Sequence, residues 1–152
     1  MQRRLPMNTV GDLVAGREVY TVQASQSVYE VAQFMVAMNI GAVAVLDGDR
    51  VAGIFSERDL MKRVVGPELQ PRQTLVRDVM TRNLVTASPE ESYETCLVRM
   101  QNHGIRHLVI ASGDRVVGVI SLRDLMSIDI QQKSAEIQMM NAYLHYVPPA
   151  SA

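Results

Sequence analysis

Two short motifs hold residues able to do chemistry: Ser56-Glu57-Arg58-Asp59 and Ser121-Leu122-Arg123-Asp124. In each, a hydroxyl and a carboxylate stand three residues apart with a guanidinium between them. If each serine opens a helix, the first backbone N–H groups lack partners and, with the helix dipole, favour an anion such as phosphate. The arginine can donate charge-assisted hydrogen bonds to the same kind of anion. An aspartate carboxylate can accept two adjacent hydroxyl donors together, as a vicinal diol presents them. The same spacing is close to that of a capping box, in which the serine and the acidic residue satisfy each other's backbone N–H groups. The two readings are compatible, because a capped helix start still has free donors.

The motifs are two copies of one pattern. A shift of 65 positions lays Gly53 to Met61 on Gly118 to Met126, and Gly48-Asp49-Arg50-Val51 on Gly113-Asp114-Arg115-Val116. It also pairs Thr21 with Thr86, Ser27 with Ser92, Met35 with Met100 and Ile40 with Ile105. No gap is needed from about Thr9/Thr74 to Met61/Met126. Self-similarity of this kind marks a repeat, and two copies are too few for a solenoid. The expected product is a pseudo-symmetric pair sharing one core.

Each copy must position its motif with the same elements. Residues 19–22 and 84–87 are short β-prone runs. A helix follows, opening at Ser27 or Ser92. Val28, Val31, Ala32, Met35 and Met38 fall on one helical stripe, as do Tyr93, Cys96, Leu97 and Met100. Two apolar runs come next, at 42–46 and 51–55, around Asp47-Gly48-Asp49-Arg50; the second copy has 108–111 and 116–120 around Ser112-Gly113-Asp114-Arg115. Asp-Gly between such runs signals a hairpin. A last helix starts near Ser56 or Ser121, and Gly66-Pro67 closes the first of these. Residues 68–73 read as a surface linker.

The fold class expected is α+β, of the α/β type with small sheets: two β-α-β-β-α repeats, at 9–66 and 74–127, packed sheet to sheet. About 55 residues bury only a marginal core alone, so pairing makes physical sense. Residues 128–147 form a C-terminal amphipathic helix carrying Ile130, Ile137, Met140, Leu144 and Val147, ended by Pro148-Pro149. That helix either covers its own domain or crosses a dimer interface.

Gly53-Ile54-Phe55-Ser56-Glu57-Arg58-Asp59-Leu60 and Gly118-Val119-Ile120-Ser121-Leu122-Arg123-Asp124-Leu125, with Gly104 to Ile110 upstream, resemble the cystathionine β-synthase (CBS) domain family. The resemblance covers about Thr9 to Met126, and the tandem looks like a Bateman module. It implies a stand-alone regulatory pair that binds adenine nucleotides (AMP, ADP or ATP) between the repeats and senses energy or ligand state as a homodimer. Another adenosyl ligand, S-adenosylmethionine or NAD(H), or a ligand-free dimeric scaffold, are the alternatives. The implied nucleotide-binding residues are Ser56, Arg58, Asp59, Ser121, Arg123, Asp124, Arg106, His107, Gly41 and Tyr20, with Ile40, Ile54, Ile105 and Val119 as apolar walls for adenine. The copies differ where Arg106-His107 replaces Gly41-Ala42. By carry-over the Asp59 site gains Arg106, His107 and Arg123 and prefers the more phosphorylated ligand. The Asp124 site receives only Arg58.

Other chemistry is poorly supported. His103 and His107 have a metal-like spacing, but Gly104 lies between them where a helix gives way to a strand, so their side chains should diverge and no metal is expected. Asp47-Gly48-Asp49 is only a fragment of a calcium loop. Cys96, the single cysteine, reads as a core thiol; it has no internal partner, so a reducing cytoplasm is expected. No catalytic triad context and no phosphate-loop glycines are present, so no enzyme activity and no required cofactor are expected. With 15 basic and 16 acidic residues and no Trp, nucleic-acid binding is not expected. No apolar run reaches the length of a membrane span, and no apolar stretch of a secretory leader follows the first residues. An unidentified protein partner remains open.

Overall fold

The structure, a computed structural model, describes residues 9–150. The chain opens with a short helix, α1 (Val10–Val14), capped by Thr9. Strand β1 (Thr21–Gln23), helix α2 (Val28–Met38) and strands β2 (Ala42–Asp47) and β3 (Arg50–Ser56) follow. The first unit then has α3 (Glu57–Asp59), which widens into a π-helical turn over Leu60–Val65. The second unit repeats the order with α4 (Val76–Val79), β4 (Thr86–Ala87), α5 (Tyr93–His103), β5 (His107–Ser112) and β6 (Arg115–Ser121), ending in α6 (Leu122–Leu144).

Both sheets have three strands, the middle one pairing parallel with the first and antiparallel with the third. Their registers repeat the sequence shift: Ala42 faces Ser56 as His107 faces Ser121, and each hairpin is bulged at the matching position, after Val45 and after Ile110. Gly48 and Gly113 make the two-residue turns possible, with φ of 64° and 61°. A side chain there would be strained. β1 and β4 are shorter than the runs at 19–22 and 84–87 suggest, and the linker contains a 3₁₀ turn over Pro71–Gln73.

The packed cores do not follow the linear division. Helix α1 buries Val10, Leu13 and Val14 among Cys96, Met100, Leu108, Ile110 and Ile120 of the second unit. Helix α4 buries Val76 and Val79, followed by Met80, among Val43, Phe55 and Val64 of the first. The units therefore exchange their leading helices. Matching backbone bonds pin the exchange: Val10 N–H donates to Glu91 O at 2.9 Å, and Val76 N–H to Gln26 O at 2.9 Å. Beyond α4, Thr81 adds a two-way bridge to Ile54, with N···O distances of 2.8 and 3.0 Å.

Gly53 permits that approach. A Cβ built there would stand 2.7 Å from the Thr81 carbonyl oxygen, a backbone atom that no rotamer change can move. Gly53→Ala is expected to cost about 1–3 kcal/mol, the range for overpacked sites. Urea unfolding checks this, and an unchanged midpoint would mean that the exchanged segment gives way freely.

The C-terminal end departs from expectation. No helix boundary lies at 127/128: α6 is one helix of 23 residues, about 34 Å long, stopping at Leu144 rather than 147. No glycine or proline interrupts 122–144. In the first unit the helix does end at Gly66, but Gly66 keeps helical angles (φ −59°) and Glu68 takes the left-handed conformation (φ 62°). Of the residues of α6, Leu125 is buried, whereas Ile130, Ile137, Met140, Tyr143 and Leu144 are exposed. Past its first turns the helix does not cover its own domain.

Candidate functional site

Two cavities open between the units, one beside each Ser-x-x-Asp motif. Both motifs form complete capping boxes. Asp59 N–H donates to Ser56 Oγ and Ser56 N–H to Asp59 Oδ2; Asp124 N–H donates to Ser121 Oγ and Ser121 N–H to Asp124 Oδ2. Capping is thus a real role of these residues, and each motif also borders a cavity.

The larger cavity, about 520 Å³, lies at the start of α6. Ser121, Asp124 and Val119 form its second-unit wall, and Tyr20, Ile40 and Gly41 its first-unit wall. Tyr20 is held edge-on by Phe34, with ring centroids 5.9 Å apart. The Glu18 carboxylate beside it raises the Tyr20 pKa. Arg17 reaches Asp124 Oδ2 at 3.5 Å. Asp124 Oδ1 accepts no hydrogen bond from any described residue.

The smaller cavity, about 380 Å³, lies at the start of α3. Ile54, Ser56, Arg58 and Asp59 face Ile105, Arg106 and His107 across it. Asp59 is buried and fully engaged: Oδ2 also accepts from Ser56 Oγ at 3.1 Å, Oδ1 accepts from Thr81 Oγ1 at 3.1 Å, and Arg63 Nε lies 3.7 Å away. The π-helical turn carries Arg63 to the exchanged segment, where its Nη1 donates to Met80 O at 2.8 Å.

The cavities share Gly41 and His107. A Cβ at Gly41 would lie 3.5 Å from His107 Nε2 and 3.3 Å from Glu57 Oε1, so little room exists for a side chain there. Burial holds the His107 imidazole below its usual 6.5; the Glu57 and Asp124 carboxylates oppose this and Arg106 adds to it. The unfolded chain therefore takes up this proton first as pH falls. Stability is expected to drop as pH falls through 6.5 and to level off once folded His107 is itself protonated. Melting temperatures from pH 7.5 to 5 check this, and His107→Gln should flatten the slope.

Thirteen of the fourteen residues implied by the resemblance line one cavity or the other; Arg123 lines neither. Arg58 lines the Asp59 cavity of its own unit, not the Asp124 cavity, so the crosswise sharing of these arginines is corrected. The sequence reading missed Arg17, Glu18, Lys62, Arg63 and Thr81, all of which line the cavities. Arg17 and Thr81 follow the exchanged helices, and only the exchange brings them here. Cys96 is buried in the second core, which pushes its thiol pKa up. Among the described residues, no group of three His, Cys, Asp or Glu is placed to hold a metal ion, and no helix is long and apolar enough to cross a membrane.

Comparison with known proteins agrees with this geometry. The CBS domain profile matches residues 10–66 and 76–130. The CBS domain-containing protein YhcV of Bacillus subtilis is 31% identical over 135 residues, covering 89% of this chain and 95% of its own. Other curated relatives are longer, and the chain spans 60% and 62% of two of them. A protein with CBS domains from Burkholderia ambifaria has a solved structure that is 35% identical. It superposes with a TM-score of 0.76 over 81% of this chain and 94% of its own. The CBS domain pair of protein MJ0100, solved with 5′-methylthioadenosine and S-adenosyl-L-methionine, shares the fold at 22% identity and a TM-score of 0.73, over 84% of this chain and 99% of its own. With its two interlocked units and both profile matches, this chain belongs to the CBS domain family and carries two CBS domains in tandem.

Proposed function

We propose that this CBS-domain pair is a regulatory module that binds an adenosine-containing ligand (AMP, ADP or ATP) between its repeats and reports occupancy through a homodimer. The observation that carries this reading is the carboxylate of Asp124. One oxygen is held by Ser121 and Arg17, and the other takes no bond from a described residue. A ribose supplies the two adjacent hydroxyl donors that such a group accepts. Ile40, Val119 and the Tyr20 ring offer the apolar surface a purine needs. The adenosyl ligands of MJ0100 carry the same ribose and purine, which supports the class of ligand; S-adenosylmethionine or NAD(H) is the second choice within it.

Because both repeats wall the cavity, a ligand there favours whichever arrangement of the units best closes on it. The exposed apolar side chains of α6 suit burial against a second copy, which would carry that change across subunits. Thermal unfolding with AMP, ADP, ATP, S-adenosylmethionine and NADH tests the reading. At about 100 times its dissociation constant a ligand adds about 2.7 kcal/mol, a rise of roughly 5–10 °C in a chain of this size. A shift with at least one of the five supports the proposal. No shift with any of them would overturn it in favour of a ligand-free scaffold.

A further inference from the structure

Helix α6 divides into a packed root and a bare end. At the root Leu125 is buried and Ile128 packs on the second core. There the Tyr93 hydroxyl donates to Gln132 Oε1 at 2.8 Å and lies 3.4 Å from Asp129 Oδ1. From Lys133 to Leu144 every residue is exposed. A helical stretch that short is marginal in water unless it packs on something. Its residues are spaced as a coiled-coil seam: Ile130, Ile137 and Leu144 recur every seven residues, and Lys133 and Met140 stand three places after the first two. Ile137, Met140 and Leu144 are 57%, 64% and 73% exposed.

Lys133 decides how such a seam can close. Its side chain is 66% exposed, and its ion pair with Asp129, 3.0 Å long, leaves the ammonium hydrated. A parallel pair in register sets each seam position against its own copy, which drives two Lys133 ammonium groups together and strips their water. An antiparallel pair with Ile137 against Met140 sets Lys133 against Leu144 at the edge of the seam. There the ammonium keeps its water and lies beside the last turn of the other helix, whose free carbonyls form the negative end of the dipole. The same register brings the Glu136 carboxylate beside the Tyr143 hydroxyl, an acceptor beside a donor. Each match occurs twice, as a two-fold axis requires.

We infer that the end of α6 pairs antiparallel with the same segment of a second copy, and that Lys133 fixes this orientation. The inference rests on the homodimer proposed above and adds which segment makes it and how the two segments run. Asp124 stands in the first turn of the same helix, so the pairing ties a cavity wall of one chain to that of the other.

Oxidative cross-linking of full-length chains carrying one added cysteine tests the orientation; the unsubstituted chain, whose Cys96 is buried, is the blank. A mixture of Lys133→Cys and Leu144→Cys chains should give disulfide-linked dimers containing one of each. Leu144→Cys alone should not link, and should begin to when Lys133→Leu is added. Self-linking of Leu144→Cys with Lys133 in place would show a parallel pair and overturn the inference, as would a mixture that forms no mixed dimer. Continued failure to link with Lys133→Leu added would remove Lys133 as the determinant. Sedimentation equilibrium separates this inference from the reading it rests on. Ile137→Asp, at a position exposed in the single chain, should weaken the dimer at least tenfold. A dimer that Ile137→Asp leaves intact would overturn the α6 pairing while the homodimer stands, and an unsubstituted chain that is monomeric at every concentration would overturn both.

Discussion

Leu13→Ala is expected to lower stability by about 2–5 kcal/mol, the range for truncating a buried leucine. It is also expected to loosen the second repeat before the first. Leu13 lies in the first copy of the sequence pattern, yet its side chain packs in the core built by Tyr93, Cys96, Met100, Leu108 and Ile120. The cavity left by the missing methyl groups therefore opens beneath β5 and β6, which belong to the other repeat. Hydrogen exchange separates the two units, because local opening reports local packing. Amides of Leu108 to Ile110 should exchange faster, with a smaller change at Val43 to Val45. A larger loss of protection at Val43 to Val45 would contradict the exchange of helices.

Asp124→Ala is expected to weaken adenosine-nucleotide binding about 100-fold. Hydrogen bonds to a charged group contribute about 1.5–3 kcal/mol each, so two from one diol, taken at the lower end of that range, amount to roughly 3 kcal/mol, or two decades in affinity. The substitution also removes the acceptor for Ser121 N–H and the partner of Arg17. Ser121 remains as the N-cap, so the folding cost should be near 1 kcal/mol and separable by unfolding in the absence of ligand. A titration giving an affinity within threefold of the unsubstituted protein would show that this carboxylate is only a helix cap.

Repeat, hairpins and helix starts were legible because local chemistry encodes them. Gly48 and Gly113 mark turns that need a left-handed residue, and Ser27, Ser56, Ser92 and Ser121 mark helix starts whose N–H groups need an acceptor. The exchange of α1 and α4 was not legible. The spacing of Val10, Leu13 and Val14 says that a face is buried, and is silent about which of two similar cores receives it. The site inherited that gap. The cavity-lining residues near each motif could be read from the register, but Arg17 and Thr81 arrive by way of the exchanged segments. Arg58 and Arg123 were assigned crosswise by carry-over, whereas Arg58 lines the cavity of its own unit and Arg123 lines neither. The single helix α6 was divided in two because the repeat ends at 127, although no residue there breaks a helix.

The central claim is that one adenosyl ligand is held by both repeats at once, and hydrogen exchange with and without saturating AMP tests it most directly. A bridging ligand predicts slower exchange at Ser121 to Leu125, where the second repeat supplies the carboxylate. It also predicts slower exchange around Tyr20 and at Ile40 to Ala42, where the first repeat supplies the opposite wall. Slowing in only one of these regions, or in neither while AMP is bound, would contradict it.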